Sequence, residues 1–302
     1  VDKTSEKGIL ILTGSSTPKS KGIIHSGTGR IKSIKMNTMS LYESGDSNGE
    51  VSLSELIINK FEPKITKETS LLDLAYLIVR GGWPGNLDVP EEDSSVLADG
   101  YMENVMKYDL KKLDDGEFYN EHKTKLILKS LARNESTTAS NSSILNDILE
   151  NDNESISKNT LSKYLDALNR MFLFNNQEPF SPNIRSSLRV KQSEKRHFSD
   201  PAMACAMLKL TPHKMLSDLN TFGFMFESLV ERDLSIYAQA IGAKLYHYQD
   251  YKGNEIDAVI ELDDGNWCAI EIKLGHNKVE EAQKTFKKSV MKLLNMEVSN
   301  QS

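Results

Sequence analysis

The stretch from residue 255 to 273 constrains this chain more than any other. Glu255–Glu261 alternates polar and apolar residues at strand spacing, 267–273 does the same, and Asp263-Asp264-Gly265 joins them. Two alternating runs around an Asp- and Gly-bearing turn predict a β-hairpin, and the earlier run Lys244–Gln249 predicts a third strand. Successive strand side chains point to opposite faces, so Glu271 and Lys273 share a face about 7 Å apart. Where Asp257 points depends on the turn. A two-residue Asp264-Gly265 loop would pair Asp257 with Ile272 and set the two acids on opposite faces. A three-residue loop, with Gly265 left-handed in a bulge, pairs Asp257 directly with Glu271, Cβ atoms about 5 Å apart. The three-residue register is predicted, because only it gathers two carboxylates able to share a divalent ion.

Helices flank this hairpin. A helix is expected from Asp200-Pro201 through Leu208, and a longer one from about Phe222 to Ala240, on which Glu227 shares a stripe with Phe224, Val230 and Leu234. An ionised acid on an apolar face costs several kcal/mol if left alone, so Glu227 must find a metal, a base or a donor. Beyond Gly275, residues 278–298 read as a helix whose Val279, Ala282, Phe286, Val290 and Leu294 cover the sheet.

The chain has 302 residues, enough for two or three domains with their own cores. Its net charge of -6 argues against coating nucleic acid indiscriminately, so any such contact must come from a local basic patch. Cys205 and Cys268 stand far apart without metal-ligand spacing, which implies neither a disulfide framework nor a zinc site and fits a reducing, cytoplasmic compartment. The longest apolar stretch, 71–79, is short and interrupted by Asp73, so no membrane span is expected. The chain opens on Val1-Asp2-Lys3, without Met or a signal-peptide pattern, and reads as cut from something longer.

Ahead of the hairpin the sequence changes character several times. Residues 8–14 form an apolar run closed by Gly14, which suits a strand buried on both faces of a parallel sheet. The following Ser15-Ser16-Thr17-Pro18-Lys19-Ser20-Lys21 has no second Gly before Lys and no helical pattern after it, and is not a phosphate loop. Residues 91–113 read as a linking helix. Apolar residues then recur at helical spacing around 126–132, 144–149 and 161–172, with Ser157 as N-cap of the third of these helices. Phe172-Leu173-Phe174 turns extended, and 175–196 is loop-like. Three helices, a strand and a loop follow the order of a winged helix, whose third helix enters the major groove while the wing meets phosphates. Arg185, Arg189, Lys191, Lys195 and Arg196 form the local basic patch, and Lys158 and Lys163 lie near the start of the third helix.

The succession LTGSS, HSGTGRI, MNTMSLYESG and LIVRGGWPGNL resembles the second half of a prokaryotic AAA-type ATPase, from sensor strand through lid. The family is the one in which such an ATPase precedes a DUF4143 domain. The resemblance implies that a P-loop and acidic strand lie before Val1, so this chain alone should not hydrolyse ATP, and ATP would matter only in a full-length protein. It also implies that Thr13 or Ser15 lies near the sensor position, that Arg30 reaches a neighbouring subunit's nucleotide, and that homo-oligomers form through the ATPase part. Trp83 and Pro84 read as lid packing.

A helix Glu, then Asp, then Glu-x-Lys about thirteen residues on, resembles the PD-(D/E)XK nuclease superfamily. Here the positions are Glu227, Asp257 and Glu271-Ile272-Lys273. The resemblance implies catalysis by these four residues, with Asp257, Glu271 and Glu227 holding Mg²⁺ or Mn²⁺ and Lys273 holding the scissile phosphate or orienting water. The expected architecture is multi-domain, α+β and α/β. An ATPase remnant spans 1–113, a winged helix 114–198, and a nuclease-like α/β/α domain 199–302. Two functions compete: a metal-dependent nuclease module acting on DNA, or an inert nuclease-like fold serving as an ATP-regulated DNA- or protein-binding module.

Overall fold

In the computed structural model, residues 11–17, 31–58, 68–113, 118–183, 192–275 and 279–298 are described. They form a mixed α+β structure in which helices precede a small antiparallel sheet. Helix α1 spans Leu53–Ile57, and α2, Leu71–Arg80, starts from a capping box in which Ser70 and Asp73 satisfy each other's backbone N–H groups. Helix α3 spans Val96–Asn104 and runs on through a π turn, Val105–Asp109, to Leu110–Lys112.

Helices α4 (Glu121–Arg133), α5 (Asn141–Asp152) and α6 (Lys158–Arg170) stand where apolar periodicity put them. Each has a capping side chain, with Asn120, Ser140 and Ser157 accepting from the backbone N–H three residues on. Helix α7, Pro201–Leu208, is buried on almost every face, from Pro201 through Met207. Such an all-round apolar helix has to sit inside a body rather than on it. Accordingly α7 packs against α2, α3 and α4, and one continuous core runs from Ala75 to Leu229. Helices α8 (Pro212–Ser217) and α9 (Leu219–Ala240) complete the approach to the sheet. The short α8, capped by Thr211, was not anticipated.

Three expectations need correction. Of the run 8–14, residues 8–10 lie outside the described residues, and Ile11 to Gly14 form no strand, with Ile11 and Leu12 89% and 82% exposed. A strand buried on both faces needs paired neighbours, and the described strands all belong to the sheet at the other end of the chain. The linking helix does not begin at 91: Glu91–Asp93 is a single 3₁₀ turn, after which Ser94 Oγ donates to Glu91 O at 2.7 Å and the α-helix starts only at Val96. Phe172 is not extended but left-handed, with φ 59°, and pairing begins at Phe174, opposite Phe198.

The sheet has the order β1 (Lys244–Gln249), β2 (Glu255–Glu261), β3 (Trp267–Ile270). Helix α9 covers one face, with Ala238, Val230 and Leu234 against Leu245, Ala258, Ile260 and Ile272. Helix α10, Val279–Val298, covers the other, with Leu293, Phe286 and Val290 against Tyr246, Tyr248, Ile256 and Val259. The pairing of β2 with β3 (Ala258 with Ile270, Ile260 with Cys268) is the register of the three-residue loop. Leu262 N–H donates to Asn266 O at 2.8 Å, Gly265 N–H donates to Leu262 O at 2.9 Å, and Gly265 has φ 85°. The turn therefore closes over Asp263-Asp264-Gly265, and the same register carried one step further sets Asp257 opposite Glu271.

Two buried carboxylates tie the parts together. Asp200 caps α7 through Ala202 N at 3.0 Å, accepts from Gly82 N at 2.9 Å, and receives Arg232 Nη1 of α9 at 3.0 Å. Asp233 accepts from Leu41 N at 3.0 Å, fastening the 31–50 segment to α9. Gly82 is needed where that segment crosses: Met39 N–H donates to Gly82 O at 2.7 Å, and a Cβ on Gly82 would stand 2.2 Å from Met39 O. Trp83 of the same turn packs at 5.9 Å from the Tyr101 ring.

Candidate functional site

A bulge aims Asp257. Between the Tyr246–Val259 and Tyr248–Ile256 pairs, one residue of β1, His247, faces two of β2, Asp257 and Ala258. Bulges of this kind redirect a side chain and interrupt the ladder. Asp257 Oδ2 accepts from Ile272 N at 2.7 Å and from Lys273 Nζ at 3.0 Å, and Lys273 Nζ lies 2.7 Å from Glu271 Oε1. The hairpin thus brings Asp257, Glu271 and Lys273 to one point. Burial and the neighbouring Asp257 charge push the Glu271 carboxyl above its usual range. For Lys273, burial disfavours the charged form, yet its two carboxylate partners outweigh that and raise its pKa.

Glu227 reaches the same place from α9. A cavity of about 260 Å³ is lined by Glu227, Asp257 and Lys273 together with Lys195, Tyr248 and Gln249. Glu227 is paired with Lys195 Nζ, and its carboxyl is pushed up to about 7 by burial, against the pull of Lys195 and with the help of Glu231 and Asp257.

Behind Glu227 lies a buried chain that sequence reasoning missed. Lys195 Nζ is 2.8 Å from Glu231 Oε1; Glu231 Oε2 is 2.9 Å from His197 Nε2; His197 Nδ1 is 3.2 Å from Glu135 Oε1. Glu135 also receives Ser228 Oγ at 2.7 Å and the Phe198 N–H at 3.1 Å. Burial disfavours His197 as a cation, but Glu231 and Glu135 outweigh it and hold its pKa up at about 9. Burial likewise works against the Glu231 anion, and Lys195 and His197 reverse it, taking the carboxyl down to about 2. One signal was legible: Glu231 follows Glu227 by four residues, one turn along the same helix face. Glu135, just past the end of α4, and His197 carried none.

Lys195 was read as part of a basic patch and is instead 6% exposed within these acids. The reason is the Gln177–Lys195 bridge, which pins its backbone beside β1 and turns its side chain inward. Of the other cationic candidates, Lys158 is exposed on the first turn of α6 and Lys163 Nζ sits 5.0 Å above the Tyr119 ring. Arg196 donates to Ala139 O at 3.0 Å and Asn141 Oδ1 at 2.7 Å, which commits its guanidinium to the α4–α5 connection. Arg30, Arg185, Arg189 and Lys191 lie outside the described residues. Tyr246 and Tyr248 pack in the sheet core, and His247 is buried, its pKa lowered to about 4 by burial and by Lys195.

The donor set fits a divalent cation in part. Asp257 and Glu271 supply hard oxygens side by side, and Glu271 Oε2 is buried without a hydrogen-bond partner. Magnesium is commonly held by one or two carboxylates plus water and substrate phosphate, so this pair is sufficient in kind. The full triad is not assembled: among the described residues no group of three or more His, Cys, Asp or Glu side chains is gathered to hold a metal, because Lys195 engages Glu227 and Lys273 stands between the other two.

Residues 222–299 match the DUF4143 model. That family is described as a domain of unknown function, and the match begins in α9 and takes in the whole sheet and α10. A second model, DUF8612, also a domain of unknown function, matches residues 71–214, the helical body. No curated protein and no solved structure matches the chain. No helix among the described residues is long and apolar enough to cross a membrane.

Proposed function

We propose that the DUF4143-like part is a PD-(D/E)XK nuclease-like domain that cuts DNA phosphodiesters with Mg²⁺ or Mn²⁺. On this reading it is preceded by a winged helix formed around α4, α5 and α6 and by the remnant of an AAA-type ATPase. ATP would act only in a longer protein, where the ATPase part would also form the homo-oligomer. The observation that carries the reading is the meeting of Asp257, Glu271 and Lys273, two of which, Asp257 and Lys273, line a cavity together with Glu227 from a helix.

Asp257 and Glu271 would hold the ion, which when bound supplies a lowered pKa for water and a counter-charge for the reacting phosphate. Asp257 is fixed in advance by the Ile272 N–H, so its carboxylate does not have to be ordered on binding. Lys273 presents a point charge to a phosphate oxygen once it releases a carboxylate. Glu227, near neutral pKa, holds a proton exchangeable at working pH. Lys158, exposed at the N-terminus of α6, would meet the phosphate backbone.

The test is incubation of the 302-residue chain with plasmid and linear DNA plus Mg²⁺ or Mn²⁺. The reading expects cutting that Asp257→Ala and Lys273→Ala each abolish; no cutting dependent on these residues counts against it. The pairing of every candidate acid with a lysine favours a second reading, an inert fold that binds DNA or protein. In that case the chain would bind duplex DNA with a steep salt dependence and leave it intact.

A further inference from the structure

The buried chain behind Glu227 has more partners than packing needs. Lys195 stands at its branching point, with its backbone fixed by two hydrogen bonds to Gln177, at 2.9 and 3.0 Å. Its ammonium meets Glu227, Glu231 at 2.8 Å and the Asp257 carbonyl at 3.3 Å, and so touches both α9 and β2. The other oxygen of Glu231 lies 2.9 Å from His197 Nε2, and Glu135 lies 3.2 Å from His197 Nδ1. Glu227 is the open end: its side chain is 16% exposed, against 1% for Glu231 and Glu135.

We propose that Lys195 is a positioning residue of the site, holding the Glu227 carboxylate against the Asp257 strand while Glu231, His197 and Glu135 lock Lys195 from behind. This role rests on the nuclease reading for its consequence in catalysis, though not for its geometry. Without the ammonium nothing ties Glu227 to the Asp257 strand, and as the partly exposed end of the chain, with the Asp257 charge still beside it, Glu227 swings toward water. Carboxylates displaced by about 1 Å can cost on the order of a hundredfold in rate. The lock also joins two parts of the chain, since Glu135 lies past α4 in the helical body while Glu227 and Glu231 lie on α9.

Lys195→Met alone would leave Glu231 short of a counter-charge and could fail to fold, so the test uses Lys195→Met with Glu231→Gln. Replacing both partners of a buried pair is often close to neutral for stability. The full 302-residue double variant is expected to melt near the unmodified chain, to show the Glu227 carboxylate turned out of the cavity in its crystal structure, and to cut DNA with kcat reduced at least about tenfold at unchanged KM. A crystal structure in which Glu227 keeps its place beside Asp257 would overturn the proposal, as would wild-type kcat in the double variant. If the unmodified chain cuts nothing, the nuclease reading fails separately, and the position of Glu227 in the crystal still decides the role of Lys195.

Discussion

Replacing Asp200 by Ala should damage this protein out of proportion to the size of the change. The side chain is 0% exposed and accepts three hydrogen bonds, from Ala202 N, Gly82 N and Arg232 Nη1. Losing the cap on α7 costs about 1 kcal/mol. An orphaned Gly82 N–H adds roughly 1–3 kcal/mol. Breaking a buried charge pair from one side costs about 3–5 kcal/mol, and these figures overlap because one carboxylate provides all three. Arg232 keeps Asp233 at 2.7 Å, which limits the loss, so the expected total is about 4 kcal/mol. Urea unfolding followed by circular dichroism measures it, with Ser157→Ala, an exposed cap worth about 1 kcal/mol, as the reference. Adding Arg232→Met to Asp200→Ala should cost less than the sum of the two changes. A loss from Asp200→Ala no larger than that from Ser157→Ala would refute the reasoning, because Asp200 would then be an ordinary cap.

The buried acid chain gives stability a pH dependence. His197, raised from 6.5 to about 9, contributes stability fully present below 6.5 and lost as pH rises through about 9. Glu227, raised from 4.5 to about 7, costs stability as pH rises across that interval, whereas Glu231, lowered to about 2, loses its contribution only as pH falls from 4.5 toward 2. Unfolding free energy should therefore decline from pH 6 to pH 9, and His197→Gln should flatten the decline above pH 6.5; an equally steep profile in that variant would rule His197 out as its source. Gly82→Ala drives a methyl into the Met39 carbonyl and should loosen the 31–50 segment, read as faster limited proteolysis there. Unchanged cleavage would mean that the contact does not hold the segment.

Much of this was legible in residues 121–302. The turn Asp263-Asp264-Gly265 allowed two registers, and the need to gather two carboxylates selected the three-residue one, which the β2–β3 pairing has. Apolar periodicity located α4, α5, α6, α9 and α10 because each buries one face against a body. What stayed hidden depends on contacts distant in sequence. Nothing local to Lys195 distinguishes it from its basic neighbours; only the bridge to Gln177 turns it inward, toward Glu231 thirty-six residues away. The same holds for His197 and Glu135, separated by sixty-two residues. The bulge opposite His247 was equally invisible, since strand alternation alone carries no sign of the extra residue that aims Asp257.

Soaking crystals of this chain in Mn²⁺ and collecting anomalous diffraction addresses the proposed function at its root. The account predicts a peak between the Asp257 and Glu271 carboxylates, with Lys273 displaced from both and free to face a phosphate. Lys273 still bridging the two acids, with no peak between them at saturating Mn²⁺, would contradict it.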